Sequence, residues 1–430
     1  MIRKSLLVLL TLALALPAYA DMTITITRGY EDPTKIAVVP FLWEGDGSPP
    51  SEMSDIIVNN LERTGQFEAL PDSDMRSWPT RRESMVFREW RLLDQDFVLI
   101  GRVRPTSGER VEVSYELYDP YSERRIKGET VTGDRSQWRQ LAHRVSDAVY
   151  EEITGVRGVF STKIAYVAIE NTGSGRQHSL HVADADGEQE EVVYESSLPL
   201  MSPAWSPDAE QLAFVNFASD GSSLIRMVDL ATGRTETLVE RQGAINSAPA
   251  FSPDGTRLAF TSSRDGSANI YVMNLASGQI QQVTRHWAID TEPDWIDNDR
   301  LVFTSGRSGQ PQIYRIDLGS DNVERLTFDG RYNARPRVGE GGDRITMVYN
   351  DGDGFNIATM NLNDRVVQVL TRNLQDEGPS LAPNGSMVVY STTEQGTSRL
   401  AWVSIDGMVE NVMPSRFGNV REPAWSPFTY

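Results

Sequence analysis

Beyond residue 160 the hydrophobic residues fall into short runs that alternate with polar ones and are cut by Asp-Gly and Ser-Gly pairs. From Thr256 the chain reads "TRLAFTSS", then "RDGSANIYVMNL", then "ASGQIQQVT". Runs of this kind, rich in β-branched and aromatic residues and bounded by turn dipeptides, predict strands joined by tight connections. In front of them stands "APAFSPDG" at Ala248, which returns as "SPAWSPD" at Ser202, "EPDW" at Glu292, "RPRV" at Arg335, "GPSLAPNG" at Gly378 and "EPAWSPF" at Glu422. Its first proline falls at Pro203, Pro249, Pro293, Pro336, Pro379 and Pro423, with spacings of 46, 44, 43, 43 and 44 residues. A period of about 40–45 residues with four strands per unit predicts an all-β propeller.

The phrase has a structural explanation. Its proline marks the entry to an inner strand, and the large residue two positions on (Trp205, Phe251, Trp295, Leu381, Trp425) is placed to fill the gap between neighbouring blades. "SPDG" suits a type I turn, with Ser first, Pro second and Gly fourth. The last copy is followed by no further strands, whereas three strand-like runs from Lys163 to Glu195 have no copy before them. The expectation is that the C-terminal strand completes the first blade and closes a six-bladed ring.

Residues 30–158 have a different pattern. "KIAVVPF" at Lys35 reads as a buried strand, and "SEMSDIIVNNLERTG" as a helix with Ser51 as N-cap and Gly65 at its end. "DFVLIGRVRP" and "VEVSYELYDP" read as strands, and "WRQLAHRVSDAVYEEITG" from Trp138 as an amphipathic helix ending at Gly155. The expected organisation is a small N-terminal α/β domain over 30–158 and the propeller over 159–430. Residues 21–29, "DMTITITRG", alternate without an adjacent partner and read as an arm. Before them, Arg3 and Lys4, the apolar run from Leu6 and "AYA" at Ala18 to Ala20 read as a signal peptide cleaved after Ala20.

Charge and composition narrow the function. Removing Arg3 and Lys4 leaves 39 basic against 60 acidic residues, a formal charge of −21. Such a field repels nucleic acid and anionic lipid. With no cysteine, disulfides, thiol nucleophiles and thiolate metal sites are excluded. No G-x-S-x-G nucleophile elbow occurs, and "GEGG" at Gly339 and "GSG" at Gly173 lack the flanks of a phosphate loop. His178 and His181, three apart on one strand, point to opposite faces and are expected to be exposed. His143 is expected at a domain boundary or on the surface. The expectation is a protein that is not an enzyme and has no metal and no cofactor.

What remains is the surface presented by equivalent positions of each unit. The residues ahead of each proline should gather at one channel mouth: Met201 and Ser202, Ser247 and Ala248, Thr291 and Glu292, Ala334 and Arg335, Glu377 and Gly378, Arg421 and Glu422. One step further out lie Asn246, Asp290, Asn333 and Asp376, with Ile245 next to Asn246. The mixture is an acidic rim with two basic points, suited to a polar peptide or protein loop. A site for peptidoglycan-derived peptides or sugars, and a scaffold with an inert rim, are the competing readings.

The order of leader, small α/β domain and six-fold phrase ending in "EPAWSPFTY", together with "IAVVPF", "YVMNLASGQIQQVT" and "LAPNGSMVVYS", resembles the TolB family of Gram-negative periplasmic proteins. The resemblance covers essentially the whole chain after residue 20. It implies a non-enzymatic component of the Tol-Pal envelope system, which supports outer-membrane integrity and constriction at cell division. It also implies two partners: the lipoprotein Pal at the propeller mouth, and the C-terminal domain of TolA on the arm at Asp21, Met22, Thr23, Ile24, Thr25, Ile26 and Thr27. Other outer-membrane or peptidoglycan-associated proteins could join them, with membranes reached only through partners and the chain itself a monomer. By the resemblance, Met201, Ala248 and Thr291 contact or respond to Pal. Ile245 replaces a family His, which moves polar contact there to Asn246.

Overall fold

The computed structural model describes residues 32–173, 175–320, 322–413 and 419–429. The leader and the arm at residues 21–29 lie outside the described residues. Among the described residues no helix is long and apolar enough to cross a membrane.

The N-terminal region is a mixed sheet with helices on both faces. Its elements in order are Thr34–Val38 (β1), Leu42–Trp43 (β2), Met53–Glu62 (α1), Phe67–Ala69 (β3), Phe87–Leu92 (α2), Phe97–Pro105 (β4), Arg110–Asp119 (β5), Arg124–Asp134 (β6) and Trp138–Thr154 (α3). The strand order is β3-β1-β4-β5-β6, with β2 beside β4. β1 runs parallel to β3 and β4, β2 is also parallel to β4, and the β4-β5 and β5-β6 pairs are antiparallel. The two-residue period of β1 divides the core: Ile36 and Val38 face α1 and α3, while Ala37 and Val39 face Trp90 and Phe87 of α2. Gly155 ends α3 in the left-handed conformation at φ 73°, as its sequence predicts. α1 differs from expectation: its N-cap is Glu52 rather than Ser51, and no side chain caps it. Four elements went unread, β2, β3, α2 and β6, because each is either very short or largely polar.

From Lys163 the chain builds six four-stranded sheets around a channel. Blade 1 takes Val420–Trp425 as its inner strand, hydrogen-bonded to Lys163–Thr172. The remaining inner strands are Leu200–Trp205, Asn246–Phe251, Asp290–Trp295, Tyr332–Val338 and Glu377–Leu381, for blades 2 to 6. The C-terminal strand therefore closes the ring, as the spacing of the phrase predicts. The phrase's aromatics seal blade to blade. The Trp205 indole donates to the Ala424 carbonyl at 2.9 Å, Trp295 to Ala250 at 3.0 Å and Trp425 to the Thr162 hydroxyl at 2.8 Å. In "SPDG", Gly255 N–H donates to the Ser252 carbonyl at 2.8 Å and the Ser252 hydroxyl to Asp254 at 2.6 Å.

Because the strands are antiparallel, the "SPDG" turns and the turns between third and fourth strands lie at one end of the ring. Connections that lead into inner strands lie at the other. The α/β region packs on the turn end. Asp147 of α3 accepts Phe160 N–H at 2.7 Å and Ser161 N–H at 3.2 Å, Arg139 reaches Asp186 at 2.5 Å, and Asn384 donates to the Arg157 carbonyl at 2.7 Å. Gly65, at φ 71°, lies against blade 6 so closely that a Cβ there would sit 2.2 Å from Val409. Among the described residues, nothing of the α/β region covers the opposite mouth of the channel.

Candidate functional site

At the uncovered mouth, each inner strand carries a bulge just before its proline, where the register with the second strand shifts. The residue at the bulge has positive φ in all six blades: Ser202 51°, Ala248 48°, Glu292 55°, Arg335 53°, Gly378 61° and Glu422 58°. A left-handed non-glycine residue costs on the order of 1 kcal/mol or more, so the surroundings must hold it. They do so through the preceding blade: Glu292 N–H donates to Thr261 Oγ1 at 3.1 Å, Arg335 N–H to Thr304 Oγ1 at 3.0 Å, and Glu422 N–H to Ser391 Oγ at 3.1 Å. The bulge directs these side chains into the channel instead of onto a rim.

Three of them form a brace across the channel. Arg335 of blade 5 binds Glu422 of blade 1, and its Nε lies 3.4 Å from Glu292 of blade 4. Glu292 also accepts the Arg335 N–H at 2.9 Å and the Thr304 hydroxyl at 2.8 Å. Side-chain exposure is 17% for Arg335, 22% for Glu292 and 7% for Glu422. Burial pushes the Glu422 carboxyl up, but Arg335 outweighs it and holds the group below the usual carboxylate range.

The outer polar positions are not exposed. Asn246, Asp290, Asn333 and Asp376 are fully buried, and their hydrogen bonds lie within a blade or reach back to the preceding one. Asn246 donates to the Ser223 carbonyl at 2.8 Å and accepts the Ser262 hydroxyl at 2.8 Å. Asp290 accepts Ser305 at 2.5 Å and Arg307 at 2.7 Å, and Asn333 donates to Gln312 at 3.0 Å. The polar rim expected at these positions is therefore corrected: a polar group there satisfies buried backbone and hydroxyl groups. Among the described residues Asp376 has no cation partner. Burial pushes its carboxyl up to about 6, although Thr371 donates to it at 2.5 Å. A folded-state pKa above the unfolded one means that stability falls as pH rises from about 4 to 6. Asp376→Asn, the residue already used at Asn246 and Asn333, is expected to stabilise the chain by about 1–3 kcal/mol at pH 7.5 and by nothing near pH 4. Urea unfolding at both pH values checks this.

Met201, Ile245 and Glu377 are exposed at the mouth, Thr291 and Arg421 are half-buried, and Ser202 and Ala248 are buried. Larger exposed groups escaped the sequence reading: Trp287 at 82%, Phe328 at 66% and Ile289 at 59%, with Phe355 and Leu374 beside them in chain order around blades 4 to 6. All lie on connections at this end, and Phe355 packs edge-on against Tyr332 at 5.2 Å. Their signal was an apolar residue in a segment that no strand pattern required, as in "RHWAID".

The histidines also differ from expectation. His178 and His181 are buried, not exposed: Ser179 and His181 share a 2.8 Å hydrogen bond, and His181 stacks on Tyr166 at 5.2 Å. Burial pushes both imidazoles toward the neutral form. His143, Asp184 and Asp186 bring three ligand atoms within 4.8 Å of one another. Their chemistry does not fit a cation. Lys163 binds Asp184 at 2.7 Å, Arg139 binds Asp186, and the Asn60 amide shares a 2.8 Å hydrogen bond with His143 Nδ1, so each group already has a protein partner. Burial raises the Asp184 carboxyl, yet His143 and Lys163 hold it at about 2. The cluster is an ionic seam between α3 and blade 1.

A family model described as the TolB beta propeller domain matches residues 150–429, and one described as the TolB amino-terminal domain matches residues 22–126. The chain belongs to the TolB family. It is 45% identical over 427 residues to the Tol-Pal system protein TolB of Thioalkalivibrio sulfidiphilus, covering 99% of this chain and 98% of that one. It is 38% identical to the protein of that name from Hydrogenovibrio crunogenus, over 95% of each. The crystal structure of TolB from Acinetobacter baumannii superposes with a TM-score of 0.86 at 36% identity, covering 95% of this chain and all of that one. The fold expected from the phrase, a small α/β region followed by a six-bladed propeller, is the fold of this TolB-family chain.

Proposed function

We propose that this chain is a non-enzymatic periplasmic adaptor of the Tol-Pal system, exported by its leader. Its uncovered channel mouth docks Pal, and its N-terminal arm engages TolA. The reading is carried by one observation: the mouth opposite the α/β region displays apolar side chains around a charged channel, with Trp287, Ile289, Ile245 and Met201 exposed together with Glu377. Exposed apolar patches of this kind mark interaction sites. Within the mouth, Met201, Ile245, Thr291, Glu377 and Arg421 are offered for direct contact. Ser202, Ala248, Glu292, Arg335 and Glu422 shape the channel beneath, and Asn246, Asp290 and Asn333 support both.

Titration of the purified chain with the periplasmic domain of Pal tests this. Thr291→Arg places a charge at the lip, leaves the charged groups of the brace in place and is expected to weaken binding at least about ten-fold, a penalty of about 1.4 kcal/mol or more. Deletion of Asp21–Thr27 should abolish binding to the C-terminal domain of TolA while leaving Pal affinity within about two-fold. Unchanged Pal affinity in Thr291→Arg would remove the mouth from the reading, and TolA binding that survives the deletion would remove the arm.

A further inference from the structure

The channel has a second opening, at the turn end, and there it widens into a funnel of about 730 Å³ that the docking reading does not use. The width follows from the residue after each blade-opening proline. Ala204, Ala250, Ser380 and Ala424 are short, and the other two equivalents are Asp294 and Arg337. The walls mix apolar and polar surface, with Trp205, Phe251, Trp295 and Trp425 supplying aromatic edges. A hollow of this size that sets aromatic edges beside charged groups has the form of a small-ligand site.

The polar groups are unequally engaged. Asp294 already accepts Val338 N–H at 2.8 Å and Trp295 N–H at 3.0 Å, and burial pushes its carboxyl up, toward the uncharged form. Asp297 at the wall is paired with Arg300. Arg337 donates from Nη1 to the Pro336 carbonyl at 3.0 Å, and it enters no ion pair among the described residues. Its remaining N–H groups form a donor fork beside apolar walls, an arrangement suited to a planar carboxylate. A phosphate, with more charge and no apolar body, would meet Asp294 and the exposed Glu340 and leave the rings uncovered.

We propose that the funnel binds the free C-terminal carboxylate of a short peptide, with Arg337 as the fork, the aromatic walls covering an apolar last side chain, and Asp294 facing the adjacent amide N–H. This site lies at the other end of the channel from the docking mouth, so it stands or falls independently of Pal.

The test is calorimetric titration of the purified chain with N-acetyl-alanyl-alanyl-phenylalanine, as the free acid and as the C-terminal amide. The acid is expected to saturate, with the amide binding about ten-fold or more weakly, since a charge-assisted fork is lost. Arg337→Met should erase the difference between acid and amide, and Arg337→Lys should retain part of it. Thermal unfolding verifies that each variant folds, and where Arg337→Met does not, the acid and amide comparison on the unaltered chain decides. Equal binding of both forms, no saturation by the acid up to about 10 mM, or a difference that survives in Arg337→Met would each overturn the assignment.

Discussion

Arg335→Met will destabilise the propeller by about 3–5 kcal/mol, the range for removing one partner of a buried ion pair. The penalty comes less from the lost attraction than from what is left behind. Glu422 is 7% exposed and Glu292 22%, and without the guanidinium both carboxylates face the channel with no cation of their own. The pH dependence should change sign. In the unaltered chain Glu422 has a depressed pKa, so its contribution is present above the ordinary carboxylate range and is lost as pH falls. In the variant, burial remains the largest influence on Glu422, opposed by Arg337 and the Ser202 N–H, so its pKa should rise and acidification toward pH 5 should recover part of the stability. Urea unfolding at pH 7.5 and pH 5 measures both effects. A loss under about 1 kcal/mol at pH 7.5 would mean that water in the channel solvates the carboxylates and the brace carries little weight.

Trp287→Ala will weaken Pal binding by about 30- to 1000-fold, the 2–4 kcal/mol typical of an aromatic hot spot, while leaving the unfolding midpoint unchanged. The two halves of this expectation have one cause. At 82% exposed, the indole contributes little packing to the folded chain, and so it has much apolar area to bury against a partner. It rests near the His286 ring, 5.4 Å between centroids, on the connection into blade 4. Asn246→Ala should behave in the opposite way, losing stability through the unsatisfied Ser223 carbonyl and Ser262 hydroxyl before it touches binding. Pal affinity that stays within about two-fold in Trp287→Ala would exclude the arc around blades 4 to 6 from the interface.

The propeller was legible because its repeat is redundant: six copies state the same proline, aromatic and turn, and the ring closure follows from counting strands. The α/β region states each element once, so polar β6 and two-turn α2 passed unread while α3, with a sustained apolar face and a terminal glycine, did not. The positions ahead of each proline do lie at one mouth of the channel, but the direction of their side chains was misjudged. A strand alternates faces, yet the bulge at each proline adds a left-handed residue and turns Glu292, Arg335 and Glu422 inward, which period-two reasoning does not anticipate. Polarity misled at Asn246, Asp290 and Asn333, where the chain spends polar side chains on buried hydrogen bonds. Hydrophobicity was passed over at Trp287 and Phe328, where no strand needed it.

Closure by the last strand also sets the order of events when the ring forms. Lys163 N–H donates to the Ser426 hydroxyl across 263 residues of chain, whereas neighbouring blades meet across about one repeat. Joining the more distant ends costs about 1–2 kcal/mol more in chain entropy. Five blades can stack by local steps, but blade 1 lacks its innermost strand until the far end arrives, and Ile164 and Ala165 keep an open edge until then. The ring should consequently fold with a slow final step, and chains caught before it will be those that pair with one another.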